Sequence, residues 1–314
     1  MRFKDLPAII KIGKYLFRSQ MPYFPVVASF DVTNRCTLRC KHCYWWFQEH
    51  PTELHEDIFY DKVREIKTIH PTLVAAIWMG GEPLLRKDLV GKCKSLFSFN
   101  EVITNGTLPL PFWKDVRFAC SVDGTKEYHE IQRGKDTYER IKKNINRSDL
   151  KVHIICVLTR LNQVCLEDFV EEWRQTHIKN IGFGFYTPIE GKEDNDQIWL
   201  NFQERDRVID RILKLKKKYP HFINSSPTAL AIFKSDKCQQ ATERCRRDYA
   251  TFNSICFDSM MRRKFPCVIG KEAICEKCGC GGAVLGEAIK RSDRSFIFEH
   301  INTQIYLLKE RFSS

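Results

Sequence analysis

The sequence has no apolar run approaching the roughly 18 residues that a membrane-spanning helix needs. It begins with a charged stretch, Met1 to Asp5, which is not the continuous apolar segment of a secretory signal. It also has no evident internal repeat or low-complexity segment. We therefore expect a cytoplasmic protein without a transmembrane segment. Its 314 residues, 43% of them hydrophobic, suffice for a large domain, alone or with a smaller one.

Cysteine and positive charge are plentiful. Fourteen cysteines in a chain without an export signal indicate metal binding rather than disulfides, because cytosolic thiols stay reduced. The formal net charge of +12 suits an anionic partner such as nucleic acid, a phosphorylated substrate or a membrane surface. Much of the excess lies in helix-like stretches such as Lys214 to Lys218, where a solvated helix face is the commoner explanation. Charge alone therefore does not identify the partner.

Three cysteines, Cys36, Cys40 and Cys43, form a C-x3-C-x2-C run directly after a strand-like stretch. Three thiolates in one short loop can hold three irons of a cubane iron–sulfur cluster, which leaves the fourth iron without a protein ligand. A structural metal site is normally closed by a fourth ligand, whereas an open position allows chemistry on a bound molecule. The run therefore predicts a catalytic 4Fe–4S cluster.

The run resembles the signature of the radical S-adenosylmethionine (SAM) enzymes, and His42 matches the usually aromatic position before the last cysteine. The resemblance implies that SAM binds the open iron through its amino and carboxylate groups. It implies that the reduced cluster sends one electron into the sulfonium, giving methionine and a 5′-deoxyadenosyl radical that acts on a substrate. A one-electron reductant such as flavodoxin or ferredoxin is implied with it.

Further motifs follow the next predicted strands. Gly80-Gly81-Glu82-Pro83, Thr104-Asn105-Gly106-Thr107 and Ser121-Val122-Asp123-Gly124 are each ordinary turn sequences taken alone. At these strand ends, however, they resemble segments of radical SAM enzymes, and Arg133 resembles an arginine common downstream of the third. The resemblance implies that the SAM site is formed by Gly80, Gly81, Glu82, Asn105, Ser121, Asp123, Arg133 and His42.

Apolar strand-like stretches alternate with helix-like ones between residues 26 and 220. Strands are expected at Val26–Val32, Val74–Met79, Glu101–Thr104, Phe118–Val122, Val152–Leu158 and Ile181–Tyr186, with helices near 55–69, 87–98, 136–146, 165–176 and 203–218. This alternation predicts a parallel α/β sheet, and six βα units are fewer than the eight of a closed barrel. They fit the open partial (βα)6 TIM-like barrel that the resemblance implies, with its ligands at the carboxyl ends of the strands.

The βα alternation stops after Pro220, and residues 221–314 carry seven of the cysteines. A C-x2-C pair follows another cysteine by eight residues, which is typical of a metal site. The region resembles an abbreviated SPASM or twitch region of MoaA-like and SPASM-like enzymes, which holds an auxiliary 4Fe–4S cluster. The expected ligands are Cys245, Cys267, Cys275 and Cys278, with Cys280 and Cys256 in reserve; zinc on four thiolates is the alternative.

Three regions are therefore expected: an N-terminal amphipathic helix within residues 1–25, a barrel at 26–220 and a cysteine-rich region at 221–314. The basic helix, at residues 4–18, either packs on the barrel or contacts an anionic membrane surface. An auxiliary cluster suggests peptide or cofactor maturation, whereas the basic helix allows a lipid substrate. The alternative from another class is a noncatalytic nucleic-acid-binding protein stabilised by bound metal. It would not explain why the cysteine loop offers only three ligands.

Overall fold

The computed structural model describes residues 25–50, 52–248 and 254–290. Its sheet contains β1 Val27–Thr33, β2 Ala75–Gly80, β3 Phe99–Thr104, β4 Val116–Ser121, β5 Lys151–Leu158, β6 Ile181–Phe185, β7 Ser254–Phe257 and β8 Arg263–Lys264. The strand order is β6-β5-β4-β3-β2-β1-β7-β8, and only the β7–β8 pair is antiparallel. The six predicted strands are confirmed with small shifts at their ends, and the sheet is open between β6 and β8.

Helices connect successive strands of the barrel, except β3 and β4, and cover one face of the sheet. They are α1 Glu56–Ile69, α2 Lys87–Cys93, α3 Lys126–Arg133, α4 Tyr138–Ile145, α5 Leu166–Arg174, α6 Asn195–Ile198, α7 Phe202–Lys218, α8 Pro227–Ile232, α9 Ser235–Asp248 and α10 Gly281–Lys290. The predicted helix at 87–98 ends earlier, at Cys93, and a 3-10 turn, Lys94–Leu96, follows it. Helix α3 was not predicted, because its buried residues His129, Gln132 and Arg133 are polar and give no apolar periodicity.

The two faces of the sheet differ in what they bury, because successive side chains of a strand point to opposite faces. Phe30 and Trp78, which are fully buried, stack with ring centroids 5.1 Å apart beneath the helices. Ile77, Ile103 and Ile155 occupy the alternate positions of central strands and are only partly buried. The inner face of the partial barrel, its lumen, is therefore only partly filled, and beside these isoleucines it carries charged side chains, with Arg117 Nε 3.0 Å from Glu101 Oε1.

Strands β7 and β8 correct the expectation that the sheet ends with the barrel at residue 220. β7 pairs in parallel with β1, with Val27 opposite Ser254, so the cysteine-rich region extends the sheet. These strands have four and two residues, too few for a readable alternation. The three domain boundaries stay a prediction. The N-terminal helix at 4–18 lies outside the described residues, and among those described no helix is long and apolar enough to cross a membrane.

Candidate functional site

The cysteine loop, residues 34–44, leaves β1 and packs against the turn that follows β2. The backbone N–H of Gly81 donates to the Thr33 carbonyl at 2.9 Å, and that of Glu82 donates to the Arg35 carbonyl at 2.8 Å. A Cβ atom on Gly81 would lie 2.1 Å from the Arg35 oxygen, so only glycine permits this approach. Gly80, with φ of +117°, adopts a backbone conformation that favours glycine. The two glycines thus hold the Gly-Gly-Glu-Pro turn against the cysteine loop.

Glu82 is fully buried and joins the ends of β2 and β3. Its Oε1 accepts hydrogen bonds from Thr104 Oγ1 at 2.8 Å and from the Leu84 N–H at 3.1 Å, and its Oε2 accepts one from the Asn105 N–H at 2.8 Å. Burial raises the pKa of Glu82 to about 7. The Asn105 side chain places Nδ2 3.6 Å from Cys36 Sγ. Glu82 therefore positions the turn whose asparagine contacts the cysteine loop.

A second buried group joins the end of β4 to the same loop. Arg133 Nε donates to Asp123 Oδ2, His42 Nε2 lies 3.2 Å from that oxygen, and Arg133 Nη1 lies 3.9 Å from Cys40 Sγ. Burial alone would raise the pKa of Asp123, but the Arg133 guanidinium holds it below its usual value. Burial lowers the pKa of His42 to about 4, so the imidazole is neutral at pH 7. The Asp123–Arg133 ion pair thus contacts the loop at Cys40 and His42, whereas Asn105 contacts it at Cys36.

The donor chemistry of the cysteine loop fits an iron–sulfur cluster. Cys36, Cys40 and Cys43 are partly buried, and Asn105 and Arg133 direct N–H groups toward two of the sulfurs. Burial raises the pKa of all three thiols, so the positive charge of bound iron is needed to hold them as thiolates. Among the described residues, no three His, Cys, Asp or Glu side chains are already arranged to hold one metal ion. The fit of this loop to an iron–sulfur cluster therefore rests on its three thiol donors and on the N–H groups beside them.

Every predicted SAM-site residue lies at the carboxyl edge of β1 to β4. Ser121 is the last residue of β4 and its side chain is half-buried. Helix α3 adjoins the cysteine loop at this edge, because the Lys41 N–H donates to the Gln132 carbonyl at 2.8 Å. The structure thus brings together all eight residues that the resemblance implied, and their contacts with SAM stay a prediction.

The predicted auxiliary ligands also come together. Cys245, Cys267, Cys275 and Cys278 line one small cavity, and Cys280 lines it with them. Cys280, which was expected only as a reserve ligand, belongs to this group. Its N–H donates to Cys278 Sγ at 3.2 Å, and it directly precedes α10. Cys256, the other reserve, lies on β7 opposite Ser29 and does not line the cavity. Five thiols are therefore available where four were expected.

This second cysteine group, Cys245, Cys267, Cys275, Cys278 and Cys280, adjoins the carboxyl end of β6. The Phe185 N–H donates to the Gly279 carbonyl at 3.2 Å, and a Cβ on Gly279 would lie 2.2 Å from the Phe185 oxygen. Arg205, a fully buried residue of α7, donates from Nη1 to the Cys278 carbonyl at 2.7 Å. Sequence reasoning missed Arg205, because it is one of several cations in α7 and nothing distinguishes it there.

Two polar side chains, Gln48 and Lys264, connect β1 and the segment after the cysteine loop to the cysteine-rich region. Gln48 donates from Nε2 to the Val268 carbonyl at 3.0 Å, one residue after Cys267. Lys264 of β8 donates to Gln48 Oε1 at 3.0 Å and to Asp31 Oδ2 of β1 at 2.8 Å. These contacts, which the sequence did not predict, join the cysteine-rich region to the edge of the barrel that carries the loop.

Comparisons with known proteins agree with this architecture. The sequence pattern of the radical SAM superfamily matches residues 30–173. "Molybdenum cofactor biosynthesis protein 1" of Dictyostelium discoideum is 28% identical over 229 residues, which cover 66% of this chain and 36% of that protein. "Pre-heme d1 synthase" of Dinoroseobacter shibae is 28% identical over 182 residues, 50% of this chain and 45% of the relative. The chain thus spans less than half the length of these curated relatives.

The fold also resembles a solved structure of SuiB from Streptococcus suis bound to S-adenosylmethionine. The TM-score is 0.61 at 16% identity, and the match covers 84% of this chain and 64% of that one. At this identity the likeness shows the fold, a partial barrel with a further C-terminal region. Since the family pattern runs from within β1 to α5 and includes the cysteine loop and the strand-end turns described above, residues 30–173 form a radical SAM domain.

Proposed function

We propose that the chain cleaves SAM reductively at a 4Fe–4S cluster held by Cys36, Cys40 and Cys43. The observation that carries the proposal is the convergence of three thiols, the Glu82 turn and the Asp123–Arg133 pair at one edge of the sheet. When bound and reduced, the cluster would supply the electron that yields methionine and a 5′-deoxyadenosyl radical. The residues around it would bind SAM, orient it and exclude water.

The strand-end residues divide into those that face a ligand and those that hold the loop. Glu82, whose carboxylate is fully buried, would hold the Gly80-Gly81 turn beside the SAM ammonium. Ser121 presents a hydroxyl at the open end of the lumen. Asn105 and Arg133 are occupied with the loop, where their N–H groups would hydrogen-bond the ligating sulfurs of Cys36 and Cys40. Mutations at the two kinds of position should therefore separate SAM affinity from cluster properties.

The substrate would enter the lumen, where Ile77, Ile103 and Ile155 are partly exposed and the Glu101–Arg117 ion pair supplies charge. A cofactor precursor is the first candidate, because the printed names of both curated relatives concern cofactor synthesis. A peptide is the second, since a structure of SuiB was solved with its precursor peptide. The lipid alternative depends on the helix at 4–18, outside the described residues. The radical SAM domain at residues 30–173 argues against the noncatalytic nucleic-acid binder.

The substrate class can be assigned by isotope transfer. Anaerobic, reduced protein is incubated with SAM and with uniformly deuterated peptides, cofactor precursors or lipids in turn. We expect deuterium to appear in 5′-deoxyadenosine for one class only, because the radical abstracts a hydrogen atom from the molecule bound in the lumen. Mass spectrometry of the nucleoside measures the transfer. Formation of S-adenosylhomocysteine without 5′-deoxyadenosine would contradict radical chemistry by this protein.

We further propose that the second cysteine group holds an auxiliary 4Fe–4S cluster. Four of its five thiols suffice for complete ligation, and Arg205 and Gly279 fix Cys278 against the barrel. A site with no open iron would carry electrons or stabilise the fold rather than bind substrate. The segments that hold these cysteines have few long apolar stretches, so bound metal would supply much of their folding free energy. Zinc on four thiolates is the competing occupant.

Iron analysis distinguishes the two occupants. Full reconstitution should give about eight irons per chain, and changing Cys36, Cys40 and Cys43 to Ala should leave about four, because each cubane has four. Adding Cys267→Ala and Cys278→Ala should remove the rest and speed proteolysis of residues 254–290. Cys93→Ala, which alters a buried thiol of α2, is the matched control and should keep all the iron. Stoichiometric zinc with no iron in the triple variant would refute the auxiliary cluster.

A further inference from the structure

Arg205 of α7 is a buried cation whose guanidinium is only partly hydrogen-bonded. Its side chain is fully buried, and Nη1 donates to the Cys278 carbonyl at 2.7 Å. Nε and Nη2 are buried too, and they have no hydrogen-bond partner among the residues that the structure describes. Arginine stays charged in proteins, and a buried charge is costly unless an opposite charge compensates it. The position of Arg205 therefore requires a nearby anion.

The acidic residues next to Arg205 in α7 do not supply this anion. Asp206 accepts a hydrogen bond from Ser235 Oγ at 2.7 Å. Glu204 forms an ion pair with Arg160 at 2.8 Å. Within the described parts of the chain, no carboxylate lies at ion-pair distance from the Arg205 guanidinium. The side chains alone thus leave its charge without a partner.

Two aromatic rings cover the guanidinium of Arg205. The centre of the Phe202 ring lies 4.7 Å from the guanidinium carbon, and that of the Phe185 ring lies 5.6 Å from it. Cation–π contacts of this kind offset only part of the cost of burying a charge. The rings also exclude water, which would otherwise screen the charge. Arg205 therefore acts strongly on any charged group beside it.

The second cysteine group becomes an anion when it binds a metal. Cys278, whose carbonyl accepts the hydrogen bond from Arg205, also lines the cavity of this group with its thiol. Free thiols are neutral at pH 7, because their ordinary pKa is about 8.5. Metal ligands are thiolates, and four of them carry more negative charge than zinc or the core of a 4Fe–4S cluster offsets. Metal binding would therefore place the missing negative charge beside Arg205.

We propose that Arg205 is the counter-charge of an anionic metal–thiolate centre in the second cysteine group, where it stabilises the bound metal and favours the reduced state of an iron–sulfur cluster. The redox part rests on the proposed auxiliary cluster, whereas the charge balance applies equally to zinc. On reduction the cluster gains one electron and one further negative charge, and no atom is transferred. A fixed positive charge nearby stabilises that state and so raises the reduction potential.

A redox titration tests this role in the protein with Cys36, Cys40 and Cys43 changed to Ala, whose remaining iron would belong to the second cysteine group. Dithionite supplies the electron, and EPR follows the reduced cluster. Adding Arg205→Met should lower the reduction potential by about 60 mV, a tenfold change in a one-electron equilibrium. A change of this size is expected for one elementary charge about 10 Å away at an effective dielectric constant of about 20.

Two further variants show whether the charge is responsible. Arg205→Lys keeps the positive charge but not the guanidinium, and its potential should lie within about 30 mV of the unchanged value, a threefold difference in the equilibrium. Arg207→Met removes the same charge from an exposed position of the same helix. It should alter the equilibrium by less than about twofold, because water and salt screen an exposed charge.

Metal affinity and metal-free stability give readouts that a merely structural arginine would not produce. Zinc is titrated into the metal-free proteins in competition with a chelator, and Arg205→Met should bind it about tenfold more weakly, because the thiolates lose their counter-charge. Without metal, however, Arg205→Met should unfold in urea at no lower concentration than the unchanged protein. The substitution then removes a buried charge that lacks its anion.

Several results would overturn the role of Arg205. An unchanged potential and an unchanged zinc affinity in Arg205→Met would remove the counter-charge. Equal losses of stability with and without metal, or equal effects of the Met and Lys substitutions, would make Arg205 a packing residue only. If the protein without the three loop cysteines binds no iron, the proposed auxiliary cluster fails, and the zinc affinity alone then decides whether Arg205 is the counter-charge.

Discussion

Arg133→Met is expected to lower the free energy of unfolding by about 3–5 kcal/mol, because it leaves the fully buried Asp123 carboxylate without its guanidinium partner. Unfolding of the metal-free proteins in urea, followed by circular dichroism, measures the difference. The same variant should also bind less iron, since Arg133 no longer directs an N–H group toward Cys40 Sγ.

Two control variants distinguish the effect of breaking this buried ion pair from that of breaking an exposed one. Lys126→Met removes the same kind of charge from a pair with Glu139 whose side chains are more than half exposed, and should cost less than about 1 kcal/mol. Combining Arg133→Met with Asp123→Asn should recover part of the stability, because no unpaired buried charge remains. An Arg133→Met protein as stable as Lys126→Met would show that the Asp123 pair does not hold the site together.

The barrel and the catalytic loop could be read from the sequence because their signals are local. Each of the six strands is an apolar run bounded by turn residues, and the cysteine spacing lies within one loop. Gly81 was also readable as a position of close backbone approach, although its neighbour in space is the Arg35 carbonyl, as only the structure shows. The family resemblance suggested a role for each residue of the predicted SAM site. The structure shows that these residues lie at one edge of the sheet.

What the sequence did not predict depends on contacts between distant segments. Helix α3 buries His129 and Arg133 against the site, so polar residues occupy the face where a pattern search expects apolar ones. Strand β7 becomes a strand by pairing with β1, more than 220 residues earlier in the chain. The Lys264–Asp31 contact spans 233 positions and involves two ordinary charged residues. Such pairs have no sequence signature, because any lysine and any aspartate could form them.

The cysteine-rich region shows what local spacing can predict and what it leaves open. The C-x2-C spacing correctly indicated that Cys275 and Cys278 would meet Cys267 and Cys245. It gave no reason to prefer Cys280 over Cys256, since the choice follows from the position of Cys280 before α10 and that of Cys256 within β7. Local spacing therefore indicated which region gathers cysteines, and the packing of secondary structure determined which thiols share one cavity.

The central claim is that Cys36, Cys40 and Cys43 hold the cluster that cleaves SAM, and changing all three to Ala is expected to abolish 5′-deoxyadenosine formation. Without these thiolates, no ligand set remains beside Glu82 and Asn105 to hold iron at the SAM site. Cys93→Ala, at a buried position of α2, should retain wild-type activity. Iron remaining at the second cysteine group would not replace the lost function, because that group adjoins β6.

The most direct measurement is the yield of 5′-deoxyadenosine and methionine from SAM, determined by chromatography after anaerobic reduction with dithionite. The wild-type and Cys93→Ala proteins should form both products in equal amounts. The triple variant should form neither above the level of a protein-free control. A triple variant that forms 5′-deoxyadenosine at the wild-type rate would contradict the assignment of the cluster to this loop.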